Sequence, residues 1–155
     1  MPAAWNEARA QEIVRRHEGR LGALLPILHE LQAEFGCVPP NATRLVAEAL
    51  NLSRAEVHGV VSFYHDFREQ PAGRHVLKLC RAEACQSMAG ETFAEKVLKH
   101  FGLDWHETTP DGRLTIEPVY CLGLCATAPS AMLDGEVMGR LDGESLDDIA
   151  QAVGR

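Results

Sequence analysis

The stretch His75-Val-Leu-Lys-Leu-Cys80-Arg-Ala-Glu-Ala-Cys85 is a short apolar run that leads directly into a pair of cysteines. A second run of this kind, Leu114-Thr-Ile-Glu-Pro-Val-Tyr120, leads into Cys121-Leu-Gly-Leu-Cys125. Both runs have the length and patterning of strands, so the sequence predicts two strands that each end at a cysteine pair. The turns after these strands can direct four sulfurs towards one point, which is what an iron–sulfur cluster requires.

Spacing alone leaves two kinds of metal site open. Structural zinc also binds four cysteines, but it favours two residues between the members of a pair. The pairs here enclose four and three residues. Because a two-iron core is wider than one ion, the longer spacers favour a cluster without excluding zinc. Disulfides are a lesser alternative in a reducing compartment, and we expect the isolated Cys37 to be a buried apolar residue.

Other polar residues are weaker candidates for a site. His58 and His65 are seven positions apart with Glu56 nearby, but they lack a third strong ligand, so a surface or interface role is favoured over metal binding. Arg81 lies inside the first cysteine loop, where it could stabilise a reduced cluster or simply be solvated. The sequence contains no glycine-rich phosphate loop and no serine–histidine–acid arrangement of a hydrolase.

Residues 1–72 are predicted to form a helical bundle. The apolar positions that recur at helical spacing are Ile13, Val14 and His17; Leu24, Leu28, Leu31 and Phe35; Leu45, Val46, Ala49 and Leu50; and Val57, Val60, Val61 and Tyr64. We expect Gly36 to end the second helix, Asn41 to cap the third, and Ser53 with Glu56 to form a capping box at the fourth. An aromatic group of Phe63, Tyr64 and Phe67 fits a partner surface and core packing equally well.

The pattern changes after Gln70-Pro-Ala-Gly73, where strand-like runs begin. Beyond the two strands already described, we expect a helix over 88–101, a hairpin turning at Gly135-Glu136, and a last helix over 145–153 capped by Ser145 with Asp148. The order strand, helix, three strands and helix suits a small α/β layer with the cysteine loops at one edge. The fold class is therefore α+β, with an N-terminal helical bundle over 1–72 and an α/β domain over 73–155.

Composition excludes several classes of function. The chain has 155 residues and a net charge of −7, and the stretch 130–155 is rich in acids, so the basic surface of a nucleic-acid-binding protein is absent. No segment approaches the roughly 20 apolar residues of a membrane span. The N-terminal residues lack the basic start and apolar core of a signal peptide, so we expect a cytoplasmic protein.

The cysteine motifs also carry a family resemblance. Cys80-x4-Cys85 and Cys121-Leu-Gly-x-Cys125-x3-Pro129, preceded by Glu56-Val-His-Gly-Val-Val-Ser-Phe-Tyr64, resemble the thioredoxin-like [2Fe–2S] subunit of the complex I family over nearly the whole chain. This resemblance implies a thioredoxin-like domain over 73–155 and one [2Fe–2S] cluster on Cys80, Cys85, Cys121 and Cys125. It also implies a partner flavoprotein subunit that binds NAD and carries FMN and further Fe–S clusters. We expect the helical 1–72 unit to dock to that partner.

Three segments narrow the resemblance further. Ala23-Leu-Leu-Pro-Ile-Leu-His29, Leu52-Ser-Arg-Ala-Glu-Val-His58 and Cys80-Arg-Ala-Glu-Ala-Cys85-Gln-Ser are most similar to the gamma subunit of soluble, NAD-dependent formate dehydrogenases. The resemblance implies an oxidoreductase subunit without a substrate site, with formate oxidised at a molybdenum centre on another subunit. The alternatives are the corresponding subunit of complex I or of an NAD-linked hydrogenase, a zinc-stabilised structural adaptor, and a free ferredoxin shuttle. The helical unit argues against the shuttle.

Overall fold

The computed structural model describes residues 4–154, which divide between Pro71 and Ala72 into two compact units. The described part of the first unit contains α1 (Glu7–Arg15), α2 (Leu24–Phe35), α3 (Pro40–Leu50) and α4 (Arg54–Phe63). The described part of the second contains β1 (His75–Cys80), α5 (Glu83–Ser87), α6 (Gly90–Phe101), β2 (Leu114–Val119), β3 (Ser130–Leu133), β4 (Glu136–Gly139) and α7 (Gly143–Val153). Within residues 4–154 there is no helix with the length and apolar character needed to cross a bilayer.

The helical unit has its own apolar core. Its buried residues are Ala10, Ile13, Val14, Ala23, Ile27, Leu28, Leu31, Phe35, Val38, Ala42, Val46, Ala47, Val57, Val61 and Phe67. His17, just beyond α1, is also buried, and its Nε2 lies 2.9 Å from Glu30 Oε1 on α2. Burial of this apolar surface is the main source of the unit's stability, because helices of this length are marginal alone.

Two of the expected helix boundaries are confirmed. Gly36 ends α2 with a φ of 75°, a left-handed conformation that glycine adopts without steric cost. The capping box at α4 is also present: the Ser53 N–H donates to Glu56 Oε2 at 2.8 Å, and the Glu56 N–H donates to Ser53 Oγ at 3.1 Å. Each of these boundaries depends on residues that are at most four positions apart, so the sequence alone predicts it.

The expected start of α3 is wrong. Pro39 occupies the cap position and Pro40 is the first helical residue, so Asn41 lies inside the first turn and does not cap the helix. Proline suits this position because its missing N–H would have no partner there and its φ is already helical. Ala49 and Tyr64 are exposed and do not join the core.

The second unit is a four-stranded mixed sheet in the order β2-β1-β3-β4. β1 runs parallel to β2 and antiparallel to β3, and β3 and β4 form an antiparallel hairpin. One face of the sheet packs against α6 and α7. The buried residues of this core are Leu77, Leu79, Phe93, Ala94, Val97, Leu114, Ile116, Ala131, Leu141, Ile149 and Val153.

Four expected boundaries in this unit are shifted. The segment before α6 forms the separate short helix α5, so Cys85 is helical and not in a turn, and β2 ends one residue before Tyr120. The hairpin turns at Asp134-Gly135, with φ of 52° and 92°, because a two-residue turn with left-handed φ matches the twist of its strands. α7 begins at Gly143, where Asp142 and Ser145 form the capping box expected of Ser145 and Asp148.

Candidate metal centre

The cysteine pairs lie at the same end of two adjacent strands. Cys80 is the last residue of β1, and its partner in the parallel register with β2 is Val119, two residues before Cys121. Because the carboxyl ends of parallel strands meet at one edge of a sheet, the loops that carry the two pairs leave from the same edge. Cys80 and Cys85 are buried, whereas Cys121 and Cys125 are exposed.

The second pair has the spacing of two ligands on one metal ion. Cys121 Sγ and Cys125 Sγ lie 3.6 Å apart. Two thiolates bound about 2.3 Å from one tetrahedral metal ion are roughly 3.8 Å apart, so the pair needs little rearrangement to bind. Cys121 has a φ of 93°, and the Gly123 N–H donates to its sulfur at 3.4 Å. The loop is thus wound tightly enough to bring the two sulfurs together.

The surroundings of the Cys80 thiol favour its ionised form. Burial raises the pKa of the Cys80 thiol, but the N–H groups of Ala82, Cys121 and Leu122 and the Cys85 thiol lower it, and the net direction is downward. Main-chain donors favour the thiolate, which is the form that binds metals. Since Cys121 and Leu122 belong to the second loop, their effect on Cys80 indicates that the two cysteine loops are adjacent.

The other three cysteines influence the ionisation of Cys125. The pKa of the Cys125 thiol is raised, first by its hydrogen bond with Cys121 and the charge of that thiolate, then by burial, and then by the charges of Cys85 and Cys80. Thiolates that repel one another in this way create a demand for bound positive charge. Thiolate sulfurs are the donors preferred by Fe–S clusters and by zinc, so the residues fit either metal.

The sulfurs form two pairs and not one compact cage. Among residues 4–154, no group of three or more His, Cys, Asp or Glu side chains is arranged to hold a single metal ion. The structure therefore does not bring His58, His65 and Glu56 together as a site. His58 instead lies 3.3 Å from Glu69, with both side chains exposed, and Glu56 belongs to the capping box.

Two residues that lie against Cys85 could not be identified from the sequence. The Ser130 hydroxyl, buried at the start of β3, lies 3.4 Å from Cys85 Sγ. Gly90, the first residue of α6, lies so close to α5 that an added Cβ would be 2.5 Å from the Cys85 carbonyl oxygen. Ser130 follows Cys85 by 45 positions, and no local pattern marks such a contact.

The remaining candidates have structural partners. Arg81 pairs with Glu91 at 2.8 Å, and its guanidinium carbon lies 5.0 Å from the centre of the Trp105 ring, so its side chain is held by residues outside the first cysteine loop. Cys37 is buried, as expected, and burial raises the pKa of its thiol.

The aromatic group divides between core and surface. Phe67 is buried, whereas Phe63 is 73% exposed and Tyr64 is 44% exposed. The expected core packing is thus confirmed for Phe67. The other two rings lie on the surface, where the expected role in partner binding stays a prediction.

Known proteins resemble this chain over most of its length. Residues 10–154 match the family described as thioredoxin-like [2Fe-2S] ferredoxin. A subunit of the NADH-quinone oxidoreductase of Mycobacterium bovis is 33% identical over 147 residues, which cover 95% of this chain and 58% of that protein. The HndA subunit of the NADP-reducing hydrogenase of Solidesulfovibrio fructosivorans is 33% identical over 77% of this chain and 70% of its own length.

The fold also matches a solved structure. An NAD+-reducing [NiFe]-hydrogenase in the air-oxidized state aligns with a TM-score of 0.72 and 24% identity, covering 85% of this chain and 23% of that chain. At this identity the match concerns the fold alone. The chain thus shares its architecture with part of a larger polypeptide and spans a little over half the length of the mycobacterial relative.

Proposed function

Because this chain belongs to the thioredoxin-like [2Fe–2S] ferredoxin family, we propose that it binds one [2Fe–2S] cluster through Cys80, Cys85, Cys121 and Cys125 and transfers electrons within an NAD-linked oxidoreductase. The observation that carries this proposal is the convergence of two cysteine pairs at the carboxyl edge of adjacent parallel strands. The spacing of the exposed pair and the main-chain donors around Cys80 support it. When bound, the cluster supplies one-electron redox chemistry.

The protein's own part is to hold and orient the ligands. β1 fixes Cys80 in a hydrogen-bonded sheet, and α5 fixes Cys85, so the buried pair has little freedom to move. The exposed pair lies on a loop open to solvent. Electron transfer to a partner is therefore expected through the side of Cys121 and Cys125, where protein covers the sulfurs least.

The partner in this proposal is a flavoprotein subunit. The chain has cysteine ligands but no nucleotide-binding loop in its sequence. A flavin must mediate between hydride, which carries two electrons, and one-electron centres. The relatives belong to an NADH-quinone oxidoreductase and an NADP-reducing hydrogenase, which supports a partner that binds NAD and carries FMN and further Fe–S clusters.

We propose a soluble, cytoplasmic NAD-dependent formate dehydrogenase as the host enzyme. The support is the similarity of the segments 23–29, 52–58 and 80–87 to its gamma subunit. In this assembly formate is oxidised at a molybdenum centre on another subunit, and this chain completes no reaction alone. The corresponding place in complex I or in an NAD-linked hydrogenase is the alternative, and the subunits that co-purify with the chain distinguish the hosts.

Reduction by NADH tests whether electrons reach the cluster only through a flavin on the partner. NADH added to the isolated chain should leave the cluster oxidised, because a flavin is needed to split the electron pair. In the assembled enzyme, NADH or formate should produce the electron paramagnetic resonance signal of a reduced [2Fe–2S] centre. Reduction of the flavin-free chain by NADH would contradict the proposal. Dithionite should reduce the cluster both in the isolated chain and in the assembled enzyme.

A further inference from the structure

Ser130 lies on the cysteine side of the sheet. On β3 the neighbouring Ala131 is opposite Leu79 of β1, and both belong to the core beneath α6 and α7. Side chains alternate between the two faces of a strand, so Ser130 on β3 and Cys80 on β1 share the opposite face. Ser130 is only 2% exposed. Its cross-strand partner in the hairpin is Gly139, so no side chain from β4 lies opposite it.

The Ser130 hydroxyl is bonded to a proposed ligand. Ser130 Oγ lies 3.4 Å from Cys85 Sγ, and Cys85 is itself 2% exposed. A thiolate that binds a metal has no proton to give, so in the loaded protein the hydroxyl must be the donor. Because both atoms are buried, water cannot easily replace this bond.

We propose that Ser130 raises the reduction potential of the cluster by donating an O–H hydrogen bond to the Cys85 sulfur. The inference rests on the function proposed above. On reduction the protein gains one electron, no covalent bond forms or breaks, and the proton stays on the Ser130 oxygen. A hydrogen bond to an acceptor becomes stronger as the acceptor becomes more negative, so this bond stabilises the reduced state more than the oxidised state.

A substitution at position 130 can remove the hydrogen bond to Cys85, because its donor is a side chain. The N–H groups of Ala82 and Leu122, which favour the Cys80 thiolate, and the Gly123 N–H, which donates to Cys121, belong to the main chain, and only proline would remove them. Cys85 instead receives its hydrogen bond from a side chain. The residue at position 130 thus controls one of the interactions that set the potential.

The test is a redox titration of the full chain with its cluster, followed by electron paramagnetic resonance. Ser130→Ala should lower the equilibrium constant for reduction of the cluster by up to about tenfold. This change corresponds to a midpoint potential that is more negative by roughly 59 mV for one electron. Ser87→Ala is the matched control, because that hydroxyl lies two residues from Cys85 but donates to the Ala84 carbonyl at 2.8 Å. It should leave the potential unchanged.

A second pair of variants separates the hydroxyl from packing. Ser130→Thr and Ser130→Val introduce side chains of nearly the same shape that differ in the hydroxyl, so the potential should be more negative with valine. Equal potentials in this pair, or an unchanged potential in Ser130→Ala, would overturn the inference. Loss of the cluster from the Ala and Val variants but not from Thr would also overturn it, since the hydroxyl would then hold Cys85 and not tune it. A wild-type chain without a cluster would contradict the proposed function instead.

Discussion

Cys80 and Cys85 are buried in the α/β unit, whereas Cys121 and Cys125 face solvent. The buried pair is fixed by a strand and a short helix, and the exposed pair is fixed by a tight loop with Gly123. In the proposed metal site, the buried pair is thus the inner side and the exposed pair is the side that a partner can reach.

Replacing each cysteine by serine tests the ligand assignment. Cys80→Ser, Cys85→Ser, Cys121→Ser and Cys125→Ser should each lower the iron and sulfide content and the visible absorption, because clusters of this kind are held by thiolates. Cys37→Ser is the control and should retain both, since Cys37 belongs to the helical unit. Full iron and sulfide content with unchanged spectra in any of the first four variants would remove that residue from the ligand set.

Gly90→Ala tests the close contact between α5 and α6. The added Cβ would lie 2.5 Å from the Cys85 carbonyl oxygen, so the backbone near this ligand must shift. Overpacking typically costs about 1–3 kcal/mol, and we expect a loss of this size in the free energy of unfolding with a lower iron content. Gly59→Ala is the control: nothing lies within 4 Å of its Cβ on α4, and it should stabilise the chain by up to about 1 kcal/mol. Equal stability of Gly90→Ala and wild type would show that the contact relaxes freely.

At the level of elements, capping side chains fix the N-terminal ends of α4 and α7. In α4 the Ser53 N–H and hydroxyl both donate to Glu56, and this contact lowers the pKa of the Glu56 carboxyl. Because the folded-state pKa is depressed, the contact stabilises the helix above the ordinary carboxyl pKa. The stabilisation is lost as the pH falls through the lowered pKa.

Ser53→Ala should reduce the free energy of unfolding by about 1 kcal/mol, the usual value of a lost N-terminal cap. Urea denaturation followed by circular dichroism measures this change. Ser62→Ala on the same helix is the control, because Ser62 only donates to the Gly59 carbonyl and alanine is the better helix former there. A loss as large in Ser62→Ala as in Ser53→Ala would show that the capping geometry is not responsible.

The sequence determines elements whose signals are local. Gly36, the Ser53–Glu56 capping box and β1 could be predicted because each depends on a few adjacent residues. α5 could not, since five residues are too few to show helical periodicity. The N-cap of α7 is ambiguous in the sequence because Asp142 and Ser145 are both residues that cap helices well. In the structure the two residues bond each other, and Asp142 is the N-cap.

Contacts made through the fold are beyond local patterns. The cysteine pairs could be identified from their spacing, but the Ser130 hydroxyl and the Gly90 approach depend on the pairing of β3 and on the packing of α6. The position of Arg81 against Trp105 is another contact of this kind. Sequence therefore predicts the proposed ligands but not the residues that surround them.

On the scale of the whole molecule, the two units have separate apolar cores. The cysteines proposed as ligands all belong to the second unit, while the exposed Phe63 and Tyr64 belong to the first. This separation is consistent with our proposal that residues 1–72 dock to a partner and residues 73–155 carry the cluster.

A fragment of residues 74–155 tests this division. It should keep the absorption spectrum of the cluster, because the four cysteines and their sheet are intact, and it should lose affinity for the flavoprotein subunit that co-purifies with the full chain. Titration calorimetry of the fragment and of the full chain against that subunit measures the difference. Undiminished binding by the fragment would show that the helical unit is not the docking surface.

The most direct test of the central proposal is the metal content of the purified full chain, combined with electron paramagnetic resonance after reduction by dithionite. A [2Fe–2S] protein is brown, contains two iron and two sulfide ions per chain, and gives a signal on gain of one electron. We predict this result. A colourless protein that contains one zinc ion per chain and gives no signal would contradict it and would identify the chain as a zinc-stabilised structural adaptor.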